Sequence, residues 1–120
     1  MTVSKVLCVD DAAADLATIQ KIVLSANVQV LTATGGLDAL TRARIDQPDL
    51  IFLDIVMPDM DGFAVLRELK KDPATRDIPV VFVSSKSQRA DQLWAKMQGG
   101  KGFVPKPVSS AAVLDEIRKF

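Results

Sequence analysis

Leu50-Ile51-Phe52-Leu53-Asp54-Ile55-Val56-Met57-Pro58-Asp59-Met60-Asp61-Gly62 decides the fold: four large apolar residues stop at a carboxylate, and a loop rich in turn residues follows. An apolar run of this length without alternation reads as a strand buried on both faces. Asp54 then emerges where the strand leaves the core, while Pro58 and Gly62 mark a tight loop before a helix. Three further runs repeat the plan. Lys5-Val6-Leu7-Cys8-Val9 ends in Asp10-Asp11, Val80-Val81-Phe82-Val83 ends in Ser84-Ser85, and Phe103-Val104-Pro105 ends in Lys106-Pro107. Polar groups that close parallel strands gather along one sheet edge, where open α/β folds place their sites.

Segments of helical spacing lie between the apolar runs, so strand and helix alternate five times, the pattern of a parallel sheet with helices on both faces. A first strand at about Val3 to Val9 leads into a helix from about Ala13 to Ala26, with Leu16, Ile19, Ile22 and Val23 as its inner stripe, and Asn27 ends it. Val28 to Ala33 forms the second strand, and Leu37, Leu40, Ala43 and Arg44 follow helical spacing up to Gln47-Pro48. The third helix runs from about Phe63 to Lys71, with Phe63, Leu66 and Leu69 on one face, and Asp72-Pro73 breaks it. Residues Ala74 to Ile78 read as a surface loop. Ser87 is the expected N-cap of the fourth helix, whose Leu93 and Met97 are spaced to face inward before Gly99-Gly100 ends it. Pro105 cannot donate to a ladder, which puts the fifth strand at a sheet edge. Val108-Ser109 followed by Val113 fits a hydrophobic staple around an N-cap serine, and Val113, Leu114, Ile117 and Phe120 are available to pack the last helix.

The chain has 120 residues, 48% of them hydrophobic, enough for one core and too few for two ordinary domains. A single domain over residues 1–120, without an effector domain, is expected. Fifteen basic and fifteen acidic residues cancel, so a general nucleic-acid surface is not expected. Cys8 lies inside an apolar run as the one cysteine and reads as a small core residue in a reducing compartment. No apolar segment approaches the ~18 residues of a membrane span and no signal core opens the chain, so a cytoplasmic protein without membrane insertion is expected. There is no histidine, which removes imidazole acid–base chemistry and histidine metal ligation.

Asp10-Asp11, Asp54-x-x-Met57-Pro58-x-x-x-Gly62, Ser84, Phe103 and Lys106-Pro107, in this order and each after its strand, make the chain resemble a response-regulator receiver domain of the chemotaxis type over essentially its whole length. The resemblance implies an α/β, flavodoxin-like fold: a five-stranded parallel sheet in the order 2-1-3-4-5 with helices on both faces. It places the fifth strand at an edge, as Pro105 requires independently. The implied function is that of a phosphoacceptor switch in a two-component system.

The residues themselves carry a coherent chemistry. Three carboxylates converging at strand ends repel one another, so protonation or a bound cation must relieve them. Oxygen donors without His or Cys suit a hard ion, and magnesium fits an open loop site. The resemblance implies that Asp11 and Asp54 ligate the metal directly, that the backbone carbonyl of Val56 adds a third ligand, and that Asp10 acts mostly through water. A helix cap is the plain alternative for Asp10-Asp11. Asp54 is the candidate nucleophile, giving an acyl phosphate, and the Lys106 ammonium would lower the barrier between two anions. An ordinary solvated lysine is the alternative for Lys106. The resemblance also implies a cis peptide at Lys106-Pro107.

Ser84 would hydrogen-bond the phosphoryl group, and movement of its loop would carry the signal away. Ser85 competes for that role, but counting four apolar residues from Pro79 favours Ser84. Phe103 matches an aromatic switch position, or serves only as a core residue. Val56 and Lys86, each two residues beyond a site residue, flank the route of an attacking water; neither holds one as a carboxamide and a carboxylate would, so slow self-dephosphorylation is expected.

Without histidine the phosphoryl donor must be a separate molecule, and the resemblance implies a histidine kinase. Output is expected through protein contacts on the surface of the fourth helix, fifth strand and fifth helix. Trp94 there is either a packing residue or part of the contact. Residues Leu93–Gly99 and Asp54–Pro58 are similar to stand-alone receivers of type IV pilus chemosensory systems. Three rivals fit less well. A haloacid-dehalogenase-type enzyme needs a second Asp where Val56 stands, and an unphosphorylated receiver-like module commonly lacks an acid or the lysine. A nucleotide-binding flavodoxin-like protein would show a phosphate loop, whereas Gly99-Gly100-Lys101-Gly102 follows a helix and precedes a strand.

Overall fold

The computed structural model describes residues 2–120. Five strands and five helices alternate: β1 (Lys5–Val9), α1 (Ala13–Leu24), β2 (Gln29–Ala33), α2 (Gly36–Asp46), β3 (Leu50–Asp54), α3 (Gly62–Lys71), β4 (Val80–Ser84), α4 (Arg89–Met97), β5 (Gly102–Pro105) and α5 (Ser110–Arg118). The strands form one parallel sheet in the order β2-β1-β3-β4-β5, with Pro105 on the edge strand as its missing N–H requires. Every side chain of β3 and β4 is buried, as the unbroken apolar runs predict.

Side-chain alternation along the strands sorts the core into two layers. Val6, Cys8, Leu50, Phe52, Val81, Val83 and Val104 pack with Leu16, Ile19 and Val23 of α1 and Val113 of α5. Leu7, Val9, Ile51, Leu53, Val80 and Phe82 pack on the other face with Ala39 and Ala43 of α2, Val65, Leu66 and Leu69 of α3 and Ala95 of α4. Caps define the helix starts. Ser109 Oγ accepts from Ala112 N at 3.1 Å, and Asp61 Oδ1 accepts from Ala64 N at 2.8 Å. The start of α2 is capped from outside its own segment: Asp59, in the loop after β3, accepts from Gly36 N at 3.0 Å and Leu37 N at 3.1 Å.

The structure departs from the sequence expectation in several places. β1 starts at Lys5 and α1 stops at Leu24, after which Asn27 turns the chain in the left-handed region at φ 64°. Leu37 of α2 is exposed, while Ala43 faces inward as its spacing predicts and the small Ala39 joins it there. α4 is capped at Gln88, whose N–H donates to Asp91 Oδ2 at 3.1 Å, and not at Ser87. Leu93 and Met97, expected inside, are 58% and 68% exposed, while Ala95 is the buried residue of α4. α4 thus presents its small alanine to the core and its long apolar side chains to solvent. A Cβ on Gly100 would lie 2.7 Å from the Phe82 ring, so the chain just beyond α4 passes close over the sheet. Residues 74–78 are not simply a surface loop: Ile78 is buried, and the buried Thr75 Oγ1 donates to Leu69 O at 2.8 Å, closing the end of α3.

Candidate functional site

The alternation that sorts the core also sorts the polar strand ends. Asp54 continues the Leu50–Phe52 row of β3, Asp10 follows the Val6–Cys8 row of β1, and Lys106 follows Val104 of β5, all on the face covered by α1 and α5. Ser84 continues the Val80–Phe82 row and Phe103 packs against the opposite core, on the side of α4. The sheet edge thus separates an acid–lysine group from a hydroxyl–aromatic pair.

Asp10 and Asp54 are 4% and 5% exposed, and Asp11 is solvent-exposed. One carboxylate oxygen from each of the three lies within 4.8 Å of the others. Asp10 Oδ1 accepts from Ala12 N at 2.9 Å, while its Oδ2 accepts from Lys106 Nζ at 2.8 Å. The helix-cap alternative is therefore half met, since one oxygen of Asp10 tethers the turn into α1 and the other faces the site. Lys106 Nζ also donates to Asp15 Oδ2 at 3.0 Å and lies 3.5 Å from Asp54 Oδ1. That geometry excludes a solvated Lys106. The Lys106-Pro107 peptide is cis.

Electrostatics follow from this crowding. Burial first, and the Asp10 charge second, push the Asp54 carboxyl up to about 6, although Lys106 pulls against both. Burial works against the Lys106 ammonium, but its bonds to Asp10 and Asp15 and the Asp54 and Asp10 charges hold it above its ordinary range. Such a group of acids, with hard oxygen donors and no nitrogen or sulfur, fits a divalent ion that keeps part of its water shell. Cys8 is remote from this chemistry in character: burial pushes its thiol up to about 12, so it stays protonated and inert.

The remaining expected residues take distinct places. Ser84 is buried with its Oγ accepting from Lys86 N at 3.1 Å, whereas Ser85 is exposed. Ser84 O also accepts from Lys106 N at 2.9 Å, joining the two loops that flank Asp54. Phe103 is half-buried, and the Val56 and Lys86 side chains are exposed. Asp15 escaped the sequence reading. Its signal was position, for it falls in the first turn of the helix that Asp10-Asp11 leads into.

Residues 6–118 match the response regulator receiver domain family. The chain belongs to that family. It is similar to protein PilH of Pseudomonas aeruginosa, with 37% identity over 95% of this chain and 94% of PilH. It is also similar to the solved structure of the chemotaxis response regulator CheY4 of Vibrio cholerae, at 25% identity, TM-score 0.89 and 98% coverage of both chains. The receiver domain of sensor histidine kinase PA1611 from Pseudomonas aeruginosa, solved with a magnesium ion coordinated in its active site cleft, shares the fold at 20% identity and TM-score 0.88, covering 98% of this chain and 97% of that one. As a receiver domain the protein is a phosphoacceptor signalling switch of two-component regulation, not a classical enzyme. Receiver domains bind magnesium in an acidic pocket, take phosphoryl groups from histidine kinases and signal to downstream targets.

Proposed function

We propose that Asp54 is the phosphoacceptor and that Asp10, Asp11, Asp54 and the Val56 carbonyl hold magnesium beside it. The observation that carries this reading is the Lys106 ammonium, 3.5 Å from Asp54 Oδ1 among acids whose oxygens lie within 4.8 Å. The Asp54 oxygen attacks phosphorus, the bond from phosphorus to the donor atom breaks, and the leaving group departs with that electron pair. When bound, magnesium supplies positive charge to the phosphoryl oxygens. Lys106 supplies the second, and no protein base is needed, in keeping with a chain that has no histidine. Ser84 then hydrogen-bonds the phosphoryl group, and Phe103 packs against the loop that Ser84 moves.

The donor is a histidine kinase, and the target docks on the face made by α4, β5 and α5. Support for that face is a cluster of exposed apolar side chains, Leu93, Trp94 and Met97, beside a groove lined by Arg89, Lys96, Lys101 and Phe103. The protein acts as a single cytoplasmic domain in a type IV pilus chemosensory pathway. The likeness to PilH supports the pathway, and among the described residues no helix is long and apolar enough to cross a membrane.

The test is incubation with magnesium and acetyl phosphate followed by intact mass measurement. Wild type gains one phosphoryl group, and Asp54→Ala gains none. Equal labelling of both proteins would sink the assignment, as would labelling that survives removal of magnesium by chelation.

A further inference from the structure

Lys106 Nζ carries three donor hydrogens, and its two short bonds go to Asp10 at 2.8 Å and Asp15 at 3.0 Å, not to Asp54 at 3.5 Å. Asp10 belongs to the acid cluster, but Asp15 lies outside it, on the first turn of α1 with its side chain 52% exposed. Beside the lysine lies a cavity of about 120 Å³, lined by Asp15, Thr18, Ile19, Phe52, Val83 and Pro107 among others. Lys106 therefore has room on its α1 side, and a carboxylate there to hold it.

We infer that Asp15 is a positioning residue: it is the counter-ion that holds the Lys106 ammonium on the α1 side before phosphorylation, and a phosphoryl group on Asp54 competes with it for the ammonium. The inference rests on Asp54 being the acceptor. Among the described residues Lys106 is the one cation ion-paired to the acids of the site, so its bond to Asp15 draws the ammonium toward α1 and away from the incoming anion. Asp15 also adds a negative charge where a further anion must enter, and both effects oppose phosphorylation. Asp10 is not the exchanging partner, because its other oxygen is fixed by Ala12 N and the whole side chain is buried. Asp15 is half in water, so releasing it strands no buried charge.

The test compares wild type, Asp15→Asn, Asp15→Glu and Asp54→Ala in magnesium and beryllofluoride, a phosphoryl mimic, by titration calorimetry. The half-saturating concentration of acetyl phosphate is measured in parallel. Asp15→Asn keeps the shape and removes the charge. It is expected to bind the mimic about two- to fivefold more tightly, as loss of a half-exposed ion pair predicts, and to lower half-saturation similarly with the maximal rate little changed. Asp15→Glu restores wild-type values. A metal-free readout accompanies these: the Lys106 side-chain ammonium exchanges its hydrogens faster in Asp15→Asn. A role confined to charge at the start of α1 would change the melting temperature and leave affinity and exchange alone, and that result overturns the inference, as does weaker binding by Asp15→Asn. Failure of wild type to bind the mimic would overturn the acceptor assignment as well, whereas binding by wild type but not by Asp54→Ala leaves Asp15 judged on its own.

Discussion

Gly62→Ala gives a prediction whose sign separates local from tertiary reasoning. Gly62 opens α3, and in a helix alanine is favoured over glycine by up to about 1 kcal/mol, so local propensity says the substitution stabilises. The surroundings say otherwise. Gly62 N donates to Ile55 O at 2.8 Å, and a Cβ here would lie 2.5 Å from the Asp54 carbonyl oxygen and 2.9 Å from Ile55 Cα. Both are backbone atoms and neither can rotate away, so reaching ordinary contact at 3.4 Å takes a retreat of 3.4 − 2.5, or 0.9 Å, by the Asp54 backbone or the helix. Overpacking of this kind costs about 1–3 kcal/mol, and two backbone approaches under 3.0 Å put it in the upper part of that range, about 2–3 kcal/mol, so subtracting a propensity gain of about 1 kcal/mol leaves a net loss of about 1–2 kcal/mol. For a domain of this size that lowers Tm by about 4–8 °C. Thermal unfolding followed by circular dichroism measures it, with the acetyl phosphate labelling rate as a second readout, expected to fall because the displaced backbone carries Asp54. A Tm equal to or above wild type would refute the close-approach reasoning.

The other predictions concern separate regions. Asp49 accepts from Ser4 N, Ser4 Oγ and Lys5 N, and the Ser4 backbone bond first of all holds its carboxyl below the ordinary 3.8. A depressed folded-state value means stability that is full above the unfolded value and is lost as pH falls through the lower folded one. Asp49→Ala should therefore melt below wild type at pH 7, with the gap closing on acidification below about 3.8; a gap independent of pH from 7 to 2 would contradict this. Trp94 is 52% exposed, so Trp94→Ala should change stability by less than about 0.5 kcal/mol in urea unfolding while weakening target binding; a loss of several kcal/mol would make it a packing residue. Val56→Asn combined with Lys86→Glu should accelerate decay of the acyl phosphate, measured as loss of phosphoryl mass after donor removal, and an unchanged half-life would count against water access as the limit.

Much of the site was legible because it depends on where strands end. Asp10, Asp54, Ser84 and Lys106 each close an apolar run, and parallel strands bring such ends to one edge whatever the details of packing. Exposure along α4 was not legible. Leu93 and Met97 have the spacing of an inward stripe, but a nine-residue helix offers apolar residues on more than one face, and tertiary packing buried Ala95 instead. Thr75 and Asp59 were missed for a similar reason: each satisfies backbone groups of a segment the sequence does not mark as its neighbour, the end of α3 and the start of α2.

By itself the sequence determined the layered α/β class, the edge position of β5 and the gathering of acids and lysine, since apolar run length, proline's missing donor and strand direction are local or additive properties. Only the tertiary structure decided that Lys106 divides its bonds between Asp10 and Asp15 while standing 3.5 Å from Asp54. A lysine side chain can reach several carboxylates, and which it meets depends on how α1 and the loop after β5 are set side by side across 91 residues of chain.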